Sequence, residues 1–206
     1  MACEFFCPTY AGNDASLNQA VHASSSQELA ELIKQDQKDR QNLTAFRDTK
    51  LYVDIKRRDI SHQKRVKELV SQNQLYSADD YYNAALIMQH SSESMDYALA
   101  HILAIIALQK GKNKALLLIA DTFDRFMLNV KQPQIFGSQY FGKQNQSFCV
   151  EEPYDKSVLT DEIRKFFDVP DQQKTLEFLN QMHNIQKNEI NSNDRSVKKN
   201  DAKALN

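Results

Sequence analysis

The sequence predicts an all-α fold made of antiparallel helical hairpins. Glycine and proline are scarce, with four of each in 206 residues, whereas folds rich in strands need many turns. Apolar residues in the middle of the chain also recur at three- and four-residue spacings, the period of one helix face. A chain of this length with 41 % hydrophobic residues can bury one modest core, so we predict a single domain.

The N-terminal half is predicted to start loosely and then to become helical. Residues 1–25 are expected to form a flexible segment, because a Cys-Pro pair, a Gly-Asn pair and three consecutive serines interrupt any period. A helix is predicted to begin at Ser26. Its middle, KQDQKDRQ, is fully polar and is either a solvated face or a functional one. Over 48–74, further helix is expected, and its basic excess interleaved with acids favours a solvated face over a nucleic-acid interface.

Three amphipathic helices with short connections are the clearest elements. Ser77 is predicted to cap the first, with Asp79 and Asp80 in the first turn facing the positive end of the helix dipole. The next two are expected over 94–110 and 113–129. Between them, Gly111 fits a C-terminal cap that requires a left-handed backbone. Short connections favour antiparallel hairpins, and the spacing of small residues loosely resembles a tetratricopeptide or Sel1-type unit, without a second copy at a fixed period.

The C-terminal part is predicted to hold short helices and a tail. Thr160 is expected to cap the helix TDEIRKFF, and a last helix is expected over 172–187. Residues 188–206 contain almost no large apolar groups and are predicted to be disordered. The predicted all-helical domain therefore spans 26–187.

Bulk composition excludes several classes of protein. The net charge of −1 gives no general attraction to nucleic acid or to membranes, and no apolar run approaches the roughly 18 residues of a membrane span. The N-terminus lacks the pattern of a signal peptide, so a cytoplasmic location is expected, with export left open. Three cysteines argue against a disulfide framework, although a Cys3–Cys7 bridge stays open in an exported chain. No metal or other cofactor is expected.

Four polar signatures stand out as candidate functional residues. They are Asp36-Gln37 with Asp39-Arg40, then Gln89-His90, then Asp121 with Asp124-Arg125, and the segment KQPQIFGSQYFG at 131–142. The last holds two of the four glycines together with three glutamines, and we expect it to fold back over a polar pocket. His90 can exchange a proton near neutral pH, and Arg125 can grip a carboxylate or a phosphate.

Each signature also has a structural explanation. His90 lies where a histidine can cap the C-terminal end of a helix. Asp121 with Arg125, and Asp36 with Arg40, have the i, i+4 spacing of helical ion pairs. Gly137 can serve a tight turn. Both interpretations stay open at this point.

Four segments in order resemble a family of uncharacterised bacterial proteins that is classed as a domain of unknown function. They are ADDYYNAALIMQH, AHILAIIALQKG, ADTFDRFM and KQPQIFGSQY, with Ser138 in place of the usual threonine. A downstream Thr-Asp-Glu-x-Arg and Val-Pro element is matched by Thr160, Asp161, Glu162, Arg164, Val169 and Pro170. The resemblance covers roughly 27–180. It implies an all-helical fold and no known activity, and its motif residues here are Gln89, His90, His101, Asp124, Arg125, Gln134, Gly137 and Gln139.

Two main functional hypotheses follow. The first is a helical binding module that recognises a peptide, a protein or a small polar ligand through a pocket closed by the 131–142 loop, which requires an apolar or amphipathic groove beside that loop. The second is a hydrolase or group transferase acting on a peptide or amide, with His90 as general acid or base and Arg125 holding an anionic group. That enzyme requires His90, Arg125 and Gln134 or Gln139 to converge on one cavity. A purely structural or antitoxin-like partner protein is a third possibility.

Overall fold

The computed structural model describes residues 14–41, 49–141, 149–181 and 184, and it confirms the all-α fold class. The elements in chain order are α1 (Asp14–Arg40), α2 (Thr49–Ser71), α3 (Ala78–Met88), α4 (Ser94–Gln109), α5 (Ala115–Asn129), β1 (Tyr140–Phe141), β2 (Cys149–Val150) and α6 (Asp161–Lys165), followed by a helix α7 at 172–181. The likeness to tetratricopeptide and Sel1-type units stays a prediction.

The chain divides into two compact units, Met1–Ala115 and Leu116–Asn206. The single all-helical domain over 26–187 stays a prediction. The boundary falls at the first residue of α5, where the sequence shows only a short helix-to-helix connection. Helical spacing shows which face of each helix is apolar, but it does not show which helices share a core.

In the first unit, α1 begins at Asp14, well before the predicted start at Ser26 and inside the segment expected to be flexible. The serines at 25 and 26 do not break the helix, because both make tertiary hydrogen bonds. The Ser25 hydroxyl donates to Oε1 of Gln74 at 3.3 Å, and the Ser26 hydroxyl donates to a carboxylate oxygen of Asp80 at 2.9 Å. Serine is unfavourable in a helix mainly because its hydroxyl competes for the hydrogen bonds of the nearby backbone. A hydrogen-bond partner that is distant in sequence removes that cost.

Helices α1 and α2 run antiparallel and are joined by arginine–carboxylate pairs. Arg65 makes a bidentate contact with Glu28 at 2.6 and 2.8 Å, and Arg58 makes one with Asp39 at 2.7 and 2.8 Å. Later residues of α2 thus meet earlier residues of α1. Much of the basic excess between 34 and 72 is therefore neutralised by acids of the same unit.

The prediction for α3 and α4 is confirmed at the level of single residues. Ser77 and Asp80 form a reciprocal capping box at the start of α3. Helices α3 and α4 pack through small residues that are fully buried, including Ala84, Ala100 and Ala104. Gly111 follows the C-cap residue Lys110 of α4 and has φ +97°, the left-handed conformation that was expected of it.

The second unit contains α5, the 131–142 loop, the two-stranded sheet and the short C-terminal helices. Its core includes Ala120, Phe136 and Val169, and the Phe136 ring meets Phe167 edge-on with centroids 5.0 Å apart. Thr160 caps α6 as predicted, its hydroxyl accepting from the backbone of Ile163 at 3.3 Å. The antiparallel pairing of β1 with β2 was not predicted, because two-residue strands carry no alternation to detect.

Several predictions fall on other parts of the chain. Cys3, Cys7, Gly142 and the tail at 188–206 lie outside the described residues. Among the residues that are described, no helix is both long and apolar enough to cross a bilayer.

Candidate functional site

Asp124 holds the 131–142 loop in the second unit. Its side chain is completely buried in α5, where it accepts hydrogen bonds from the backbone amides of Ile135, Phe136 and Ser138 at 2.9, 3.1 and 2.9 Å. It also accepts one from the Ser138 hydroxyl at 2.9 Å. A carboxylate inside the protein needs donors of this kind, since water is excluded. The loop backbone therefore folds around one carboxylate of the preceding helix.

The two predicted glutamines brace the same loop from within. Gln134 is fully buried, and its Oε1 accepts from the backbone amide of Gln139 at 3.0 Å. Its Nε2 donates to the carbonyls of Gln139 and Glu151. The Gln139 side chain donates in turn to the carbonyl of Asp121 at 3.3 Å and to the Ser138 hydroxyl at 3.0 Å. These amides satisfy buried backbone groups of the loop and of the segment beside it.

Gly137 is needed for both conformation and space. Its φ is +67°, a region that side chains rarely adopt. A Cβ built on it would lie 2.7 Å from Cζ of Tyr154 and 2.9 Å from its hydroxyl. The loop and the segment around Tyr154 are also joined through the backbone, since Gln134 donates to the carbonyl of Pro153 at 2.9 Å and accepts from Asp155 at 3.0 Å. The position of Tyr154 is thus set by the loop.

Tyr154 forms part of a groove in the second unit. The groove is shallow, with an enclosed volume of about 50 Å³, and it is lined by Val150, Tyr154, Lys156, Arg164, Gln172, Thr175 and Leu176. Val150, Tyr154 and Lys156 come from the segment braced by the loop. Gln172, Thr175 and Leu176 lie one turn apart on α7, at i, i+3 and i+4. None of the loop residues Gln134, Gly137 and Gln139 belongs to the lining.

Arg164 is the unusual member of the groove lining. Its side chain is 1 % exposed although it carries a charge. One terminal nitrogen donates to Asp161 at 2.9 Å, while its Nε is buried without a hydrogen-bond partner among the described residues. Burial of a guanidinium is expensive unless its donors are satisfied. Arg164 therefore brings to the groove a buried donor that has no acceptor among the described residues.

Asp121 and Arg125 lie on α5 at the predicted i, i+4 spacing. Burial raises the pKa of Asp121 to about 6, while the charge of Arg125 and a hydrogen bond with Ser138 oppose the rise. The Nε of Arg125 is also buried without a hydrogen-bond partner among the described residues. Both residues lie in the same unit as Asp124 and the loop.

A second polar cluster lies in the first unit, between α1 and α2. Arg40 contacts Asp36 at 3.2 Å, which confirms the predicted i, i+4 pair, and Asp59 at 2.6 Å. Asp36 is 1 % exposed, and burial is the main reason that its pKa rises to about 6. The Arg40 charge lowers this pKa, and neighbouring Asp59 raises it further. Burial likewise lowers the pKa of His62. The polar middle of α1 therefore has two sides: Asp36 and Asp39 are buried in a charge network, whereas Lys34, Gln37, Lys38 and Gln41 are exposed.

His90 joins this cluster from the end of α3. Its Nε2 lies 3.6 Å from Oδ2 of Asp36, and its side chain is 20 % exposed. Gln89, directly before it, is buried and forms the C-cap of α3. His101 is half-buried on α4 of the same unit.

The structure thus sorts the predicted site residues into two sets. Gln89, His90 and His101 belong to the first unit. Asp124, Arg125, Gln134, Gly137 and Gln139 belong to the second, where all but Arg125 share the hydrogen-bonded loop or its contact with Tyr154.

Sequence reasoning did not select the residues that line the groove. In the sequence, Arg164 is notable only as part of the Thr-Asp-Glu-x-Arg element. In a helix as short as TDEIRKFF, the apolar neighbours of Arg164 are the residues expected to be buried. The structure instead buries Arg164 and leaves Phe166 70 % exposed. The one available signal was the i, i+3 spacing of Asp161 and Arg164.

Among the described residues, no group of three or more histidines, cysteines or acids could hold a metal ion. Comparison with models of protein families, with curated proteins and with solved structures found no match for this chain. The resemblance to the bacterial family of unknown function stays a prediction.

Proposed function

We propose that this protein is a binding module whose ligand site is the groove lined by Val150, Tyr154, Lys156, Arg164, Gln172, Thr175 and Leu176. The observation that carries the proposal is Arg164, a buried and incompletely hydrogen-bonded arginine in the lining of a mainly apolar groove. Ligand pockets combine apolar walls with a few polar groups that fix orientation. The groove also includes Tyr154, which contacts Gly137 of the 131–142 loop, so the proposal keeps that loop as a neighbour of the site.

In this proposal the loop acts as a support and does not touch the ligand. Asp124 fixes the loop, the loop fixes Tyr154 through Gly137 and the Gln134 backbone, and Tyr154 forms one wall of the groove. Substitutions in the loop are then expected to weaken binding by displacing that wall. The same reasoning explains why the glycines and amides of the chain gather after α5.

The test is an NMR screen of the full chain against a fragment library and a library of short peptides. We expect bound compounds to shift the backbone resonances of Val150, Lys156 and Leu176. Leu176→Glu places a charge on a side chain that is already 59 % exposed, so it should abolish binding without unfolding the protein. Val158→Glu is the matched control, since Val158 is 49 % exposed and lies outside the groove lining. Binding that survives Leu176→Glu would contradict the proposed site.

A second candidate function is supported by the contact between His90 and Asp36. A histidine beside a buried carboxylate is the arrangement that general acid–base catalysis uses, and the partial exposure of His90 would admit a substrate. The substrate class that we propose for it is a peptide or an amide. The site would then comprise residues of the first unit alone, with Arg40 in the anion-holding role first assigned to Arg125.

This candidate is tested by amidase and peptidase assays with the wild type, His90→Gln and His101→Gln. We expect His90→Gln to lower the activity at least a hundredfold, which is the usual contribution of a general acid or base. His101→Gln, a change of the same kind on α4, should leave it in place. Equal activity of the three proteins would exclude His90 as the catalytic base.

A further inference from the structure

We infer that the groove binds a carboxylate carried on an apolar body, and that the guanidinium of Arg164 is the group that receives it. The inference rests on the proposed binding function and names its ligand class. It follows from the unpaired donor of Arg164, the charge of the lining and the chemistry of the walls.

The first step is the donor inventory of Arg164. A guanidinium carries five N–H donors in a fixed plane and cannot lose its charge. Asp161 accepts from one terminal nitrogen at 2.9 Å, and the buried Nε has no acceptor among the described residues. An oxygen from a ligand would satisfy this donor after a small shift of the side chains that line the groove, because Nε itself has almost no exposed surface.

The second step concerns Asp161, which is an incomplete counterion for Arg164. Its side chain is 44 % exposed, and the oxygen that faces Arg164 also accepts from the backbone amide of Gln172 at 3.2 Å. A single contact of this kind leaves the planar edge of the guanidinium unused, whereas carboxylates favour bidentate contact with arginine. The contact with Asp161 therefore positions Arg164 and leaves its other N–H donors able to bind an anion.

The third step is the charge of the lining. Lys156 and Arg164 line the groove, and no acidic residue among those that the structure describes does. Two cations around a small concave site raise the local concentration of anions and favour an anionic ligand over a neutral or cationic one. Lys156 is exposed and lies 5.6 Å from the centroid of the Tyr154 ring.

The other residues of the lining indicate the chemistry of the part of the ligand that carries the carboxylate. Val150, Leu176 and the ring of Tyr154 offer apolar surface, and Thr175 and Gln172 add one hydroxyl and one amide. The enclosed part of the groove is only about 50 Å³, well below the volume of a drug-sized ligand pocket, so it admits a group of carboxylate size while the apolar body of the ligand lies along the open part of the groove. A phosphate would bring more charge and more acceptor oxygens than these donors match. The geometry favours a carboxylate.

Such a carboxylate has two sources, a small organic acid or the C-terminus of a peptide, and both present the same chemistry to Arg164. The experiment uses calorimetric or NMR titration of the full chain with 4-phenylbutyrate, its primary amide and phenyl phosphate. A pentapeptide ending in phenylalanine is added as the free acid and as the C-terminal amide. We expect each acid to bind at least tenfold more tightly than its amide, and the tighter of the two acids identifies the source.

Two variants test whether the preference for acid over amide depends on the groove. Lys156→Gln changes an exposed side chain and should weaken binding of the acid severalfold while leaving the melting temperature unchanged. Arg164→Gln should remove the preference for acid over amide altogether. Since loss of a buried arginine can unfold the protein, the Lys156 variant and the acid–amide pairs in the wild type keep the inference testable without it.

The outcomes separate this inference from the proposed function. If acids and amides bind equally and Leu176→Glu abolishes both, the groove is a binding site but the carboxylate inference is wrong. Tighter binding of phenyl phosphate than of 4-phenylbutyrate would also overturn the inference. If none of the five probes binds and the peptide and fragment screens give no groove ligand, both the inference and the proposed function fail.

Discussion

Asp124 shows how one residue can organise a loop. Its carboxylate accepts four hydrogen bonds from the 131–142 loop, the segment in which the glycines and glutamines of the sequence gather. Each of these bonds comes from a buried or half-buried donor. Sequence reasoning selected Asp124 as a ligand-binding residue, and the structure places it beneath the loop as an internal acceptor. A one-dimensional pattern cannot separate these roles, because both require a carboxylate near amides.

Replacing Asp124 by alanine should destabilise the second unit by about 3–5 kcal/mol, because it leaves two buried amides, one half-buried amide and a buried hydroxyl without their acceptor. Chemical denaturation followed by circular dichroism measures the change. Asp155→Ala is the control, because it removes a carboxylate whose hydrogen bonds to Ser157 are exposed, and it should cost less than about 1 kcal/mol. Equal effects of the two variants would show that Asp124 does not hold the loop.

Gly137→Ala tests the contact between the loop and Tyr154. The variant combines a strained left-handed backbone with a Cβ pressed against the Tyr154 ring, and we expect a loss of about 2–4 kcal/mol. Gly111→Ala imposes similar backbone strain, with φ +97° but no atom within 4 Å of the new Cβ, so it should cost only about 1–2 kcal/mol. Denaturant titrations of both variants give the comparison. A smaller loss for Gly137→Ala than for Gly111→Ala would contradict the packing described here.

At the scale of elements, helix caps and amphipathic spacing predicted most of the fold. The starts of α3 and α6 were located by Ser77 and Thr160, because capping is a local property of the sequence. The start of α1 was missed because Ser25 and Ser26 are stabilised by partners distant in sequence. Burial of Arg164 was missed for the same reason, since the groove around it is assembled from three separate segments.

The cap of α3 provides an element-scale prediction. Ser77→Ala should lower the stability of the first unit by about 1 kcal/mol, because it removes the acceptor for the Asp80 amide and breaks the capping box. Ser61→Ala, at an exposed position within α2, should be neutral or slightly stabilising because alanine favours helix. Thermal melts followed at 222 nm distinguish the two variants, and an unchanged melting temperature for Ser77→Ala would contradict the assigned cap.

At the scale of the whole molecule, each unit contains an aspartate with a raised pKa, the buried Asp36 in the first and the half-buried Asp121 in the second. Both values are about 6, compared with 3.8 for the ordinary side chain. Between these two values the folded protein holds protons that the unfolded chain has lost. The contribution of each group to stability is therefore present below about pH 4 and is lost as the pH rises through about 6.

Asp36→Asn tests this linkage in the first unit. Because the variant cannot be deprotonated, it should be more stable than the wild type at pH 7.5, by up to about 2–3 kcal/mol, with the advantage fading toward pH 4. Free energies of unfolding between pH 4 and pH 8 measure the difference. A variant that loses stability uniformly at every pH would show that the Asp36 charge is favourable in the fold, through Arg40 and His90.

The central claim is that the Nε of Arg164, which has no acceptor among the described residues, donates to a ligand carboxylate. The most direct measurement is the Nε–H resonance of Arg164 in proton–nitrogen NMR spectra, recorded during titration with 4-phenylbutyrate and with its amide. We predict a saturable downfield shift with the acid and none with the amide, because only the carboxylate forms a charged hydrogen bond to this nitrogen. An Nε–H resonance that does not move with the acid, or that moves equally with both compounds, would contradict the claim.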